Sequence, residues 1–196
     1  ISSATFFASQ SDFKEAGDLL VFADDESLDY ISNLIDQNDG IMAGEDMGET
    51  FNYLRPSDLV WRYVVDNYML GKKPRPFDLL YWNADQTNIP GPTHMTYLRE
   101  LYAHNALSEG NFRVFGEPVQ MGDIEIPVMM QAGREDHISP FRSVYRAARK
   151  FGGNVEFVLA GSGHIAGVVN PPSARKYQHW VNAKLPETVE EWLTDA

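Results

Sequence analysis

At 196 residues, with a net charge of −12 and no cysteine, the chain is long enough for one domain with a real core and short for two. The acidic balance argues against a nucleic-acid protein, which carries a basic patch, and otherwise speaks mainly to solubility. The lack of cysteine excludes disulfides and Cys-based metal sites within these residues, and it removes a thiol nucleophile from them.

Ser3 to Ala8 is short, apolar and β-prone, as a buried strand would be. From Asp12 to about Asp123 the chain turns acidic and helical, with loops and aromatic clusters between. Ser27 to Gln37 predicts a helix, with Leu28, Ile31, Leu34 and Ile35 on one face. Gly40 to Gly48, rich in Gly and Met, reads either as a mobile lid or as a plain disordered loop. Ser57 to Leu70 predicts a helix ended by Gly71, with Leu59, Val60, Tyr63 and Val64 on one side. Thr93 to Leu107 predicts another.

The character changes again near Ile126. Pro127 to Ala132 reads as a buried strand, Pro140 to Phe151 as a helix stopped by Gly152-Gly153, and Asn154 to Ala160 as a second strand, together a βαβ crossover. A helix over Ser173 to Asn182 and a short one over Thr188 to Leu193 complete the expectation. The fold class expected is α/β, with a core portion formed by 1–11 and 124–196 and a mostly helical cap subdomain over 12–123. No stretch approaches the roughly 18 consecutive apolar residues of a membrane span.

The sharpest chemical signal is Gly133-Arg-Glu-Asp136-His137-Ile-Ser-Pro140, directly after a strand. Sites in open α/β sheets form at the carboxyl ends of strands. The next strand ends in Gly161-Ser-Gly-His164-Ile-Ala-Gly167. A carboxylate and a histidine at consecutive strand ends, in that order, match an acid–base pair in which Asp136 orients His164. Taken singly, Asp136 reads equally as a helix cap and His164 as a structural or surface residue. His137 competes for the base role, but its adjacency to Asp136 turns the two side chains apart and makes it a supporting residue.

These stretches, together with Phe51-Asn-Tyr-Leu-Arg-Pro-Ser-Asp-Leu-Val-Trp61, Val64-Val-Asp-Asn-Tyr68, Phe77 to Pro92 and Ser162 to Pro172, resemble class I polyhydroxyalkanoate (PHA) synthases nearly end to end. The resemblance implies an α/β-hydrolase fold with a cap. It also implies a Cys–His–Asp site that polymerises (R)-3-hydroxyacyl-CoA, with 3-hydroxybutyryl-CoA the expected monomer, into polyester with release of CoA. By the same resemblance His164 is the base for the thiol, and Asp136 is the acid that helps activate the 3-hydroxyl. Family members are cytoplasmic, associate with polymer granules and work as homodimers. CoA enters as substrate, so no cofactor is expected, and the five scattered His suggest no metal site.

The chain departs from the family at the nucleophile. There is no Cys and no Gly-x-Ser-x-Gly, so the nucleophile elbow is expected upstream of Ile1 and the chain alone is expected to be inactive. A generic esterase or polyester depolymerase of the same fold, or a non-catalytic granule-associated or interaction fragment, are the alternatives. Trp82, Asn83, Asp85, Thr87 and Asn88 form a polar-aromatic loop that shapes a substrate pocket or is a rigid turn. Tyr97, with Tyr63, Tyr68 and Tyr102, is a pocket candidate or cap packing. Arg55, Arg134 and Arg142 pair with CoA phosphates or with surface acids.

Overall fold

The computed structural model describes residues 1–54, 56–74 and 85–196. Its strands in chain order are β1 (Ala4–Phe7), β2 (Ile41–Met42), β3 (Ile89–Pro90), β4 (Arg113–Val114), β5 (Glu117–Pro118), β6 (Val128–Gly133), β7 (Val155–Ala160) and β8 (His179–Val181). The α-helices are α1 (Asp25–Gln37), α2 (Gly44–Leu54), α3 (Gly91–Thr96), α4 (Phe141–Ala148) and α5 (Val189–Thr194). The chain divides into two compact units, one of Ile1–Ser27 with Thr96–Ala196 and one of Leu28–Met95.

The first unit is built on a mixed sheet in the order β1-β6-β7-β8. The first three strands are parallel and β8 is antiparallel to β7. This is a mixed α/β architecture with a mostly parallel sheet. Val128, Met130 and Ala132 of β6 and Phe157 and Leu159 of β7 are buried with Val144, Tyr145, Ala147 and Ala148 of α4. The helix between parallel strands therefore packs back on the sheet as the crossover rule requires. Tyr145, Phe157 and Trp192 meet edge to face, with centroids 5.0 to 6.2 Å apart, a geometry that adds to their area burial. Trp192 comes from α5, which Thr188 starts with a capping box to Glu191.

Gly152 and Gly153 end the helix for a packing reason. A Cβ on Gly152 would lie 2.0 Å from the Gly122 carbonyl oxygen, and one on Gly153 would lie 2.3 Å from that of Glu125. Both amides donate to the Ile124 carbonyl.

An ion cluster joins three distant segments of this unit. Asp12, 3% exposed, accepts from the Ser108 hydroxyl at 2.7 Å and the Lys14 amide at 3.1 Å, and Arg146 and Lys150 approach it at 3.4 and 3.9 Å. The Ser143 hydroxyl donates to its backbone carbonyl. Burial alone would raise the Asp12 carboxyl. The Ser108 and Lys14 hydrogen bonds and the two cations outweigh burial and hold it below its ordinary 3.8.

Two helix expectations are corrected, one over 173–182 and one over 93–107. Residues 173–182 do not form a helix. Pro172–Ala174 is a single 3₁₀ turn, Arg175 and Tyr177 take positive φ (45° and 63°), and His179–Val181 is strand β8. The exposed edge of β7 supplies ladder partners that a helix here would leave unmet. Residues 113–118 form a hairpin, with Phe115 and Gly116 at φ 52° and 85° in its turn. Thr93 to Leu107, read as one helix, is α3 followed by a π-helical segment over Tyr97–Ala103.

In the second unit, α1 ends at a Gly40 turn with φ +77°. Gly40 to Gly48 contains regular structure: β2 pairs antiparallel with β3, and α2 starts at Gly44. Ser57–Trp61 and Val64–Met69 are π-helical rather than one α-helix. Tyr63 and Tyr68 are 45% and 88% exposed, so they are not packing residues here.

Two measurements test these contacts. Asp12→Asn is expected to destabilise the protein by about 1–3 kcal/mol at neutral pH, since buried partners lose a charge-assisted acceptor. A carboxyl lowered by folding contributes above its unfolded value of 3.8, and that contribution fades as pH falls through the folded value. The gap between wild type and variant, followed by thermal unfolding, should therefore close in acid. Trp192→Ala is expected to cost about 3–5 kcal/mol. Trp192→Phe should cost clearly less, because it leaves a smaller cavity while still removing an indole N–H that is buried with no hydrogen-bond partner among the described residues.

Candidate active site

β6 and β7 pair in parallel along their whole length, from Val128 opposite Val155 to Gly133 opposite Ala160. Their carboxyl ends therefore leave the sheet side by side. The two loops go on bonding past the last ladder pair. The Arg134 amide donates to the Ala160 carbonyl at 2.8 Å and the Glu135 amide to that of Ser162 at 3.0 Å. Gly133 permits this closeness, since a Cβ there would stand 2.7 Å from the Ser162 carbonyl oxygen.

The turn after β6 closes with the Asp136 amide on the Gly133 carbonyl at 3.2 Å. Asp136 Oδ1 then accepts from the amides of Ile138 and Ser139, each at 2.9 Å. Its other oxygen, Oδ2, lies 2.8 Å from His164 Nδ1. The Asp136 side chain is fully buried and that of His164 is 34% exposed. One oxygen thus shapes the turn ahead of α4 and the other holds the histidine, so the cap and partner readings of Asp136 both apply.

The chemistry follows from the donor inventory. An ionised carboxylate only accepts, so His164 Nδ1 carries the proton and Nε2 presents a lone pair. A ring held this way takes a proton at Nε2, and the carboxylate steadies the imidazolium that forms. No nucleophilic thiol is available within the chain, which has no cysteine.

The other sequence candidates make contacts of their own or lie outside the described residues. His137 follows Asp136 and is half-buried, and its backbone carbonyl lies against Gly17, where a Cβ would be 2.8 Å away. Asn88 Oδ1 accepts from the Gly44 amide at 3.0 Å, at the start of α2. It lines a polar cleft of about 480 Å³ in the second unit with Asn38, Glu45, Asp85 and Gln86. Trp82, Asn83 and Arg55 lie outside the described residues. Tyr97 packs on Phe13 and Tyr102. Burial of its hydroxyl raises the phenol, and the hydrogen bond to Tyr102 partly offsets that. Arg134 stacks over Trp180 at 5.1 Å, and Arg142 pairs with Glu190.

Gln131, buried in the middle of β6 at 5% exposure, was missed within an apolar run, although a lone amide in Pro-Val-Met-Met-Gln-Ala is itself the signal. Among the described residues no group of three His, Asp or Glu is placed to hold a metal ion. No described helix is long and apolar enough to cross a membrane.

No family model matches the chain. It is 47% identical over 196 residues to the poly(3-hydroxyalkanoate) polymerase subunit PhaC of Rhizobium meliloti, covering 100% of the chain and 32% of that protein. It is 46% identical over 197 residues to the poly(3-hydroxyalkanoate) polymerase of Methylorubrum extorquens, again over 100% of the chain and 32% of that protein. The subunit PhaC of Cupriavidus necator is 42% identical over 200 residues, with 100% and 34% covered. The chain spans about a third of the length of these relatives.

Asp136→Asn offers a direct test of the tautomer. If Oδ1 keeps the Ile138 and Ser139 amides, the Asn amide nitrogen faces His164 Nδ1, which must then accept. The neutral ring is expected to move its proton from Nδ1 to Nε2, as read by two-bond nitrogen–proton correlations. A variant ring still protonated at Nδ1 would contradict the assignment.

Proposed function

The chain belongs to the poly(3-hydroxyalkanoate) polymerase family, and from that premise we propose that it supplies the acid and the base of a polyester synthase whose thiol lies outside these 196 residues. The observation that carries this reading is the 2.8 Å bond between Asp136 and His164 at adjoining strand ends.

In the proposed cycle His164 Nε2 takes the thiol proton, and the thiolate attacks the thioester carbonyl of an (R)-3-hydroxyacyl-CoA, of which 3-hydroxybutyryl-CoA is the expected member. The C–S bond to CoA breaks, the imidazolium returns the proton, and CoA leaves as its thiol. The acyl group is now a thioester of the enzyme. His164 next takes the proton of a 3-hydroxyl, the alkoxide attacks an acyl thioester, the thioester C–S bond breaks, the imidazolium returns the proton to the thiolate released, and the new ester bond lengthens the chain by one unit. Both Asp136 oxygens are engaged, Oδ1 by two amides and Oδ2 by His164. Asp136 therefore aids the 3-hydroxyl through the imidazole rather than by direct contact.

The same proposal takes the parallel sheet and crossover as the acid–histidine end of an α/β-hydrolase fold, with the helical stretch 12–123 as its cap. It also carries the expectation of a cytoplasmic homodimer at the surface of polymer granules.

The test uses the full-length protein and (R)-3-hydroxybutyryl-CoA, following CoA release. His164→Ala is expected to lower turnover by at least about a thousandfold and Asp136→Asn by a similar order, since members of such a unit act together. Undiminished CoA release from either variant would remove the assignment.

A further inference from the structure

One polar side chain of the first unit is explained neither by the fold nor by the Asp136–His164 pair. Val128, Met130 and Ala132 of β6 belong to the core beneath α4. Strand alternation places Gln131 on the opposite face. It is nevertheless 5% exposed. An apolar side chain there would leave no polar group to desolvate. Gln131 Nε2 donates to the Ala132 carbonyl at 3.1 Å, and Oε1 is buried with no hydrogen-bond partner among the described residues.

What lies over this amide is the turn that carries His164. Gly167 closes the turn, its amide donating to the Gly163 carbonyl at 3.3 Å, while the Val168 and Val169 amides donate to Ile165 at 3.0 and 2.8 Å. A Cβ on Gly167 would lie 2.8 Å from Gln131 Nε2, 2.9 Å from Ser162 Oγ and 3.2 Å from the Ala160 methyl. The φ of Gly167 lies outside the left-handed range, so contact rather than conformation calls for glycine there. Ser162 is itself 3% exposed.

The bond to Asp136 leaves the His164 ring one freedom. A single contact at Nδ1 fixes which nitrogen is protonated but lets the ring pivot about that point. A base must also hold Nε2 at a set distance from its substrate, and errors near 1 Å are costly. A turn resting without clearance on a buried amide and a buried hydroxyl supplies that second constraint.

We propose that Gln131 is a positioning residue for His164. Its amide and the Ser162 hydroxyl form a seat under Gly167, and the height of that seat sets the reach of the imidazole. The inference rests on His164 being the base and deepens that reading.

The experiment measures kcat and KM for CoA release from (R)-3-hydroxybutyryl-CoA by the full-length protein. Gln131→Leu, which replaces the flat amide beneath Gly167 with a branched end and so alters the seat, is expected to lower kcat about tenfold and leave KM within about twofold; Tm should be no lower, because the variant removes a buried oxygen with no hydrogen-bond partner among the described residues. A residue that served only stability would not split kcat from Tm in that direction. Gly167→Ala is expected to lower kcat about a hundredfold. Shortening Gln131 to Ser in the same chain is expected to return about tenfold of that loss, because the 2.8 Å contact of the added methyl is then relieved while that with Ser162 Oγ remains. Full kcat in Gln131→Leu overturns the proposal. So does a Gly167→Ala enzyme as active as its parent, or a double variant no better than the single one. Should Gly167→Ala fail to fold, Gln131→Leu decides alone. His164→Ala runs alongside: if it stays active, the premise that His164 is the base fails, whereas an inactive His164→Ala with a fully active Gln131→Leu defeats the seat only.

Discussion

The parallel pairing of β6 with β7 is the constraint on which the site depends. Six consecutive residue pairs, from Val128–Val155 to Gly133–Ala160, bring two strand ends out level. The register is held from one side, where Val128, Met130, Ala132, Phe157 and Leu159 meet α4 and Trp192. Sliding one strand by a single residue would carry Gln131 into that apolar layer and turn Met130 out of it. It would also separate the acid turn from the histidine turn, which are joined by bonds from Arg134 to Ala160 and from Glu135 to Ser162. The core thus protects a distance of 2.8 Å between two side chains that lie outside it.

A second layer of control comes from the Asp12 cluster. Arg146 and Lys150, which reach Asp12, sit on α4 and just beyond its end. The amides of Ile138 and Ser139, which Asp136 caps, lie just before its start. Anchoring the helix to the segment after β1 therefore anchors the turn that carries the acid. In a chain with a net charge of −12, two cations placed against one buried carboxylate act locally, where desolvation makes their attraction stronger than at the surface.

The parts of the fold legible from sequence were those whose signals are local. Val128–Gly133 and Val155–Ala160 lie within a residue or two of their expected bounds, because an apolar run between Pro127 and Gly133, and another opening after Gly152-Gly153, leave little choice. Asp136 and His164 were readable because each follows a strand within a few residues. What escaped depends on distant partners. Residues 179–181 form a strand because β7 offers an unpaired edge, which no pattern within 173–182 reveals. Gly44 begins a helix because Asn88, 44 residues later, accepts its amide. Asp12 carries no local signal of burial, and its partners Ser108 and Arg146 lie 96 and 134 residues away. Gln131 was hidden by its neighbours, since an apolar run suggests a buried strand without saying which face a single amide will take.

The last strand of the sheet also limits how copies of the molecule can meet. β8 is three residues long, runs against the direction of its neighbour, and follows a stretch in which Arg175 and Tyr177 adopt positive φ. Lys176 and Lys184 flank it in the sequence. A short rim bordered by cations and kinked backbone gives an incoming strand few amides to zip onto. Among the described residues the sheet ends at this edge, and lateral growth from molecule to molecule, the route by which open sheets become fibres, finds little template on it.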